Sequence, residues 1–483
     1  MERLPDRFLV MVLQHLDYKE LFACRVTCKR IHAAALDPAV WRHRSAGEEE
    51  TVRWLRPVLR FAPCLAKLEV NYPPVYPGTP TRLPYDTTKC AVETLNMGMD
   101  GFVSIADVLL AAKIIRNQEK LGRLKHLEVE FQEDCTVVDS SQAVLFKTAL
   151  STSTLESLEL AGWPTEDAAN IVFESVVRVQ MPPLKSIKCD LAVHMKPFIN
   201  LVLDKLANTL EKVNFHSYVY PDDPNMCLAT EMSSPTVTLL AGMPNLRWLD
   251  CPPFAGIEVL GRCKSLREIT ITMQEEWNAG LQGVARFLRQ ATHLRKVCLM
   301  HRTAVEKPSS PGVDLVLALA SSKESEVEEL RVSNFFKLSD ATMPHLKPLL
   351  SALPMLPNLR LLWLEEAADA FLTAITPTNA PALRCLRLIP SFRSVMSSDC
   401  SHAWVHKKAA QTLLSKNPSL HVRLDFPPCE KKRERCKFCR LSCHKALRRV
   451  SAWKDSVGLF AHPENDCPAP DFHTKSNFVW IEM

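Results

Sequence analysis

The sequence predicts an α/β chain in three parts. A small helical head covers residues 1–46, a long solenoid of strand–helix units covers 47–425, and a short tail rich in Cys, Lys and Arg covers 426–483. Three observations carry this reading. Apolar residues at helical spacing, with caps and prolines at the breaks, fill the first forty residues. An L-x-x-L-x-L string, with conservative replacements, then returns twelve times. After Pro427-Pro428 the texture changes to a basic run that carries four cysteines.

Composition sets the outer limits. With 483 residues, 47% hydrophobic and 23% charged, the chain suits a soluble folded protein of two or three domains or one repeat array. Its 13 glycines are few, and neither GxGxxG nor GxxxxGK[ST] occurs, which argues against glycine-rich phosphate loops. The net charge of +5 is small for this length, so nucleic acid is not an expected partner of the whole molecule. The longest apolar stretch, Phe102 to Ile115, is broken by Asp107 and Lys113, so no membrane span is expected. An acid and a proline at the start do not fit a signal peptide. Most of the 17 cysteines stand singly on apolar positions, as small buried hydrophobes do in a reducing compartment. The expected location is therefore cytosol or nucleus.

In the head, Leu9, Val12, Leu13 and Leu16 recur at helical spacing after Pro5, with Asp6 and Arg7 opening the helix. Asp17 and Glu20 form a capping-box pair for a second helix that is expected to carry Leu21, Val26 and, near its end, Ile31. Asp37-Pro38 turns the chain into a last short helix with Val40 and Trp41. Three such short helices bury little surface, so their apolar residues exceed what they can cover internally. A partner is expected to complete them. The ordered series Leu4-Pro5, Leu9, Val12, Leu16, Asp17, Leu21, Val26-x-Cys28-Lys29-Arg30 and Asp37-Pro38-x-x-Trp41 resembles an F-box, although the family usually has an acid where Arg7 stands. The resemblance implies that Leu4, Pro5, Leu9, Val12, Leu16, Leu21, Val26 and Trp41 build the surface, or the fold behind it, that docks on a Skp-type adaptor. Through that adaptor it implies the cullin and RING subunits of a ubiquitin ligase. Cys24 and Cys28, one helical turn apart, are expected to serve in packing.

The twelve strings begin at Leu65, Val92, Leu124, Leu155, Leu184, Leu210, Leu246, Leu266, Leu294, Val327, Leu359 and Leu383, and a worn thirteenth begins at Leu420. In each, the last two apolar positions alternate with a polar one, which predicts a short strand with one buried face. Amphipathic stretches such as Ser104–Arg116, Glu166–Arg178, Gly280–Gln290 and Asp340–Leu353 predict helices between them. Pro182, Pro244, Pro357, Pro381 and Pro418 stand two residues before a first leucine, where they end a helix and extend the chain. Parallel stacking of such units gives a solenoid. From about residue 52 to 425 the chain resembles the leucine-rich-repeat family, with irregular spacing and mostly without the asparagine or cysteine usual after the strand.

The residues flanking the buried strand positions should form the concave face. Early repeats place Glu69, Glu128, Glu130, Glu159 and Asp190 there; later ones place Trp248, Asp250, Arg331, Trp363, Glu365 and Arg387. Trp and Arg are enriched at binding hot spots, so an acidic first half and an aromatic, basic second half form the expected surface for a target protein.

In the tail, Cys429 to Arg449 carries nine Lys and Arg against two Glu, leaving about −2 for the rest of the chain. Cys436, Cys439, Cys443 and His444 could supply a tetrahedral zinc site, with His462, Cys467 and His473 beyond, although the second CxxC of a finger is missing. A solvated, flexible charged end is the plainer expectation. Outside the tail no histidine pairs evidently with a thiol or a carboxylate, and no GxSxG, HExxH or kinase-like set occurs. The expected function is that of a non-catalytic subunit that recognises targets for an SCF-type ubiquitin ligase. The alternatives are a repeat scaffold with no ligase role, and zinc or nucleic-acid binding through the tail.

Overall fold

The structure is a computed structural model that describes residues 4–48, 51–72, 83–100, 103–131, 140–162, 166–191, 195–216, 234–274, 280–302, 312–322, 324–334, 345–365, 367–389, 400–425, 438, 443–444, 447, 456–463, 467 and 478–483. It divides into two units, Met1–Tyr218 and Val219–Met483.

The first unit opens with helices α1 (Asp6–Gln14), α2 (Tyr18–Arg25), α3 (Lys29–Ala35) and α4 (Pro38–Trp41). The Asp17 carboxylate accepts from Glu20 N at 2.7 Å, and the Glu20 carboxylate accepts from Asp17 N at 3.0 Å. That closes the expected capping box. Asp37 likewise caps α4 by accepting from Ala39 N at 2.7 Å. The second expected helix is split in two. The Thr27 hydroxyl donates back to Cys24 O, and Cys28, in extended geometry, becomes the N-cap of α3. A short hydroxyl side chain competing for backbone groups is a common way to end a helix. Ile31 therefore lies on α3, and Cys28 is an exposed cap where a packing role was expected.

Strand β1 (Ser45–Ala46) joins the head to the sheet by pairing with β2 (Cys64–Tyr72). Then follow β3 (Ala91–Met99), β4 (His126–Phe131), β5 (Ser157–Ala161), β6 (Ser186–Asp190) and β7 (Lys212–His216), each parallel to the one before. Register aligns Leu68, Leu95, Leu127, Leu158, Ile187 and Val213 in one row, and Val70, Met97, Val129, Leu160, Cys189 and Phe215 in the next. All twelve are buried. Alternation along each strand thus becomes a continuous apolar ridge down the stack. The helix Ile105–Leu121 starts at a Ser104–Asp107 capping box and ends on Gly122 in the left-handed region. Its buried Gln118 side chain accepts from Val92 N at 3.0 Å and donates to Cys90 O at 3.1 Å, fixing the helix on β3.

The second unit repeats the scheme with β8 (Trp248–Cys251), β9 (Glu268–Gln274), β10 (Lys296–Arg302), β11 (Glu329–Asn334), β12 (Leu361–Glu365), β13 (Cys385–Ile389) and β14 (His421–Leu424) in parallel. Every expected string is a strand, including the worn one at Leu420. Helices Glu166–Val176 and Leu281–Gln290 stand where two were expected; of Asp340–Leu353, the described part holds helix Leu346–Ala352. The tail contributes more than a solvated end. Strand β15 (Ser456–Phe460) pairs antiparallel with β14, and β16 (Phe478–Glu482) pairs parallel with β15. Val457, Leu459 and Ile481 extend the buried rows, which is why these segments join the sheet.

Candidate interaction site

The head sorts its eight expected residues into two groups. Leu9, Leu21 and Trp41 are core, buried within the fold. The Trp41 indole N–H donates to Ala35 O at 2.7 Å, and its ring lies 5.9 Å from that of Phe22. Phe22 in turn stacks on Trp54 at 5.7 Å and meets Phe61 edge-on at 6.4 Å, so the head shares a core with the first repeat. The Arg25 guanidinium covers Phe61 at 3.7 Å. Arg44 ties the same corner by donating to Val40 O and Leu13 O at 2.8 and 2.9 Å.

The second group faces outward. Val26 is 84% exposed, Met11 54%, Val12 46%, Phe8 40% and Leu4 39%. Leu4, Phe8, Met11 and Val12 fall at i, i+4, i+7 and i+8, one stripe at the start of the chain. Pro5 begins α1 as its exposed N-cap, and Leu16 is half-buried at its far end. Arg30 holds this edge by an ion pair to Asp6 at 2.7 Å and a hydrogen bond to Leu4 O. Phe8, Met11 and Val12 on α1, with Leu4 just before it, form a row of apolar side chains left in water, the kind of patch that marks a candidate interaction surface.

The strand faces place the other expected residues. In the first unit, register makes one row of Glu69, Asn96, Glu128, Glu159, Lys188 and Asn214, all half-buried. Burial and the neighbouring Glu159 carboxylate push the Glu128 carboxyl upward. Lys188 ion-pairs with Glu159, so the acidic stripe is partly neutralised by a residue that the sequence reading passed over. Asp190 accepts from Gly162 N, and burial raises its carboxyl to about 6.

In the second unit the corresponding row is Asp250, Thr270, Cys298, Arg331, Trp363, Arg387 and Arg423. The Arg331 and Arg387 guanidinium carbons lie 5.5 and 4.0 Å from the Trp363 ring centroid. Arg387 also pairs with Asp425 at 2.6 Å, and Arg423 lies 4.6 Å over Phe478. This is a cation–π ladder on an open strand face. Trp248 sits half-buried one row away, opposite Glu268. Glu365 departs from expectation: only 6% exposed, it belongs to the interior because its neighbour Leu364 and its own strand end are both covered.

Of the four expected tail ligands, Cys436 and Cys439 lie outside the described residues. Cys443 and His444 come together with His402 and His406, two residues the sequence reading left unpaired. Their signal was an H-x3-H spacing that puts both rings on one helical face.

Residues 1–46 match the model of the F-box-like family. No curated protein matches the chain. Among solved structures the chain is similar to the leucine-rich repeat-containing protein LegL7 from Legionella pneumophila, with 11% identity over 66% of this chain and 89% of that one and a TM-score of 0.36. The exposed stripe lies within the residues that match the F-box-like family. The chain thus opens with an F-box-like head, which leads into parallel strand–helix units.

Proposed function

We propose that the chain is the non-catalytic target-recognition subunit of an SCF-type ubiquitin ligase, acting in the cytosol or nucleus. The observation that carries this reading is the exposed stripe Leu4, Phe8, Met11 and Val12 in a head that matches the F-box-like family. A Skp-type adaptor covers that stripe and links the chain to cullin and RING subunits. The strand faces hold a target protein, with the Arg331–Trp363–Arg387 ladder as the anchor because a half-buried Trp between two guanidinium groups presents a rigid, amphipathic contact. Catalysis is by proximity: holding the target near a ubiquitin-charged enzyme raises the effective concentration of its lysines.

Co-expression of the full chain with a Skp-type adaptor tests the reading. A one-to-one complex that survives size-exclusion chromatography is expected. A folded chain that elutes apart from the adaptor at micromolar concentration contradicts it.

A further inference from the structure

The tail and the last repeat bring together two clusters of side chains of metal-ligand type, and neither contains a residue assigned above to the adaptor or the target. The first comprises His402, His406, Cys443 and His444. His402 Nε2 and His406 Nε2 each lie 3.1 Å from Cys443 Sγ and 3.3 Å from one another. A tetrahedral zinc ion with Zn–N of about 2.0–2.1 Å and Zn–S of about 2.3 Å sets donor–donor edges of about 3.3–3.6 Å. The observed triangle is close to one face of that tetrahedron. Two imidazole nitrogens and a sulfur converging on one point leave more lone pairs than shared protons can satisfy, and a cation between them answers all three. His444 supplies the fourth donor, its ring centroid 5.3 and 5.2 Å from those of His402 and His406. Phe438 stacks on His406 at 4.6 Å and orients that ring.

The second cluster is His421, His462 and Cys467. Its independent sign is the tautomer. His421 Nδ1 faces Arg384 O at 3.2 Å, and His462 Nδ1 faces Pro418 O at 2.8 Å. A carbonyl only accepts, so each Nδ1 carries a proton and Nε2 is the ring nitrogen left to bind a metal. Backbone carbonyls hold metal-ligating histidines in just this way. His421 Nε2 lies 3.4 Å from Cys467 Sγ, and the two rings stand 4.8 Å apart at 73°.

We propose that two zinc ions staple the tail to the last repeat, one held by His402, His406, Cys443 and His444, the other by His421, His462 and Cys467. Imidazole and thiolate together select a borderline-soft ion such as zinc over magnesium or calcium. Each thiol loses its proton on binding. The ions then hold the segment that follows the repeats against β14 and β15.

Elemental analysis of the full chain, expressed with zinc and dialysed against a weak chelator, tests this. Two zinc ions per chain are expected, and a metal-free chain overturns both sites. The pair His402→Asn and His406→Asn should remove one ion, and the pair His421→Asn and Cys467→Ser should remove the other. An unchanged zinc count in either pair overturns that site. The pair Cys436→Ser and Cys439→Ser should leave the count at two; a loss overturns His444 as the fourth donor. Cobalt loading of the unaltered chain covers variants that fail to fold. An intense tetrahedral visible band with a thiolate charge-transfer band is expected, and a weak octahedral spectrum overturns the proposal.

Discussion

The exposed stripe on α1 makes the sharpest test of the proposed docking, because its side chains stand in water and add little to the core of the head. Met11 is 54% exposed and Val12 46%, against 1% for Trp41. Fully burying an apolar side chain of this size is worth about 1.5–3 kcal/mol, so covering the exposed half of each yields roughly 1 kcal/mol. Replacing both with Asp removes about 2 kcal/mol of that contact. It also presses two carboxylates against an apolar partner, each costing at least the roughly 1–3 kcal/mol that mutational scales give a neutral polar group. The total exceeds about 4 kcal/mol, and each 1.4 kcal/mol is tenfold in Kd, so affinity for a Skp-type adaptor should fall by more than about 100-fold. Stability should fall by no more than about 1 kcal/mol, mostly from the poorer helix propensity of Asp. Trp41→Ala is the contrasting case. It empties a buried site and deletes the bond to Ala35 O, at about 3–5 kcal/mol, so it should lose binding by unfolding the head. Calorimetric titration with circular-dichroism melts on the same samples separates the two. If Met11→Asp/Val12→Asp stays folded and binds with the original affinity, α1 is not the docking face.

Further outcomes follow from the strand faces, the turns and two buried titratable groups. A double-mutant cycle of Trp363→Leu with Arg387→Gln should give a coupling of about 1 kcal/mol in denaturant unfolding, and a coupling near zero would show that the 4.0 Å stacking is not attractive. Gly162→Ala should destabilise the first unit by more than about 2 kcal/mol, because φ is +65° and the new Cβ would lie 1.4 Å from Phe131 O. Gly122→Ala, at φ +74° with nothing within 4 Å, should cost only about 1 kcal/mol in the same melts. Acid should act oppositely on the two units. Burial lowers His345 to about 4, so its stabilising neutral form, fully present above the unfolded value of 6.5, is lost as pH falls through 4, at about 3 kcal/mol in full. Burial raises Asp190 to about 6, so its contribution is present below the unfolded value of 3.8 and lost as pH rises through 6. Hydrogen exchange between pH 7 and 4.5 should therefore speed up in β11–β12 relative to β5–β6; equal responses refute both assignments.

How far the sequence could be read depends on how local each cause is. The capping box at Asp17 acts within three residues, and the strand rows need only a period of two within each string. Both were legible. The break at Thr27–Cys28 was not, because Ile31 continues the apolar spacing while a hydroxyl bond to Cys24 O ends the helix. Lys188 was overlooked because its meaning lies in the neighbouring strand, opposite Glu159. The same holds for His402 and His406: their spacing is visible, but the thiol they meet is 41 and 37 residues away. Strand β16 is visible in the alternation Phe478-Val-Trp-Ile-Glu482, although it lacks the leucine string of the repeats.

The head has two different faces, and the proposed mechanism needs both. If α1–α4 were joined to the repeats by a flexible linker, a target would sample a wide volume, and tethering alone would set the effective concentration at its lysines. Here the Phe22 ring is packed between Trp41 of the head and Trp54 and Phe61 of the first repeat, and β1 hydrogen-bonds to β2 in register. Turning the head against β2 would expose these rings and break that pairing together. The exposed stripe is thus held at a fixed angle to the strand face of the first unit, so in the proposed assembly an adaptor seated on it would set the orientation of that face as well as its nearness.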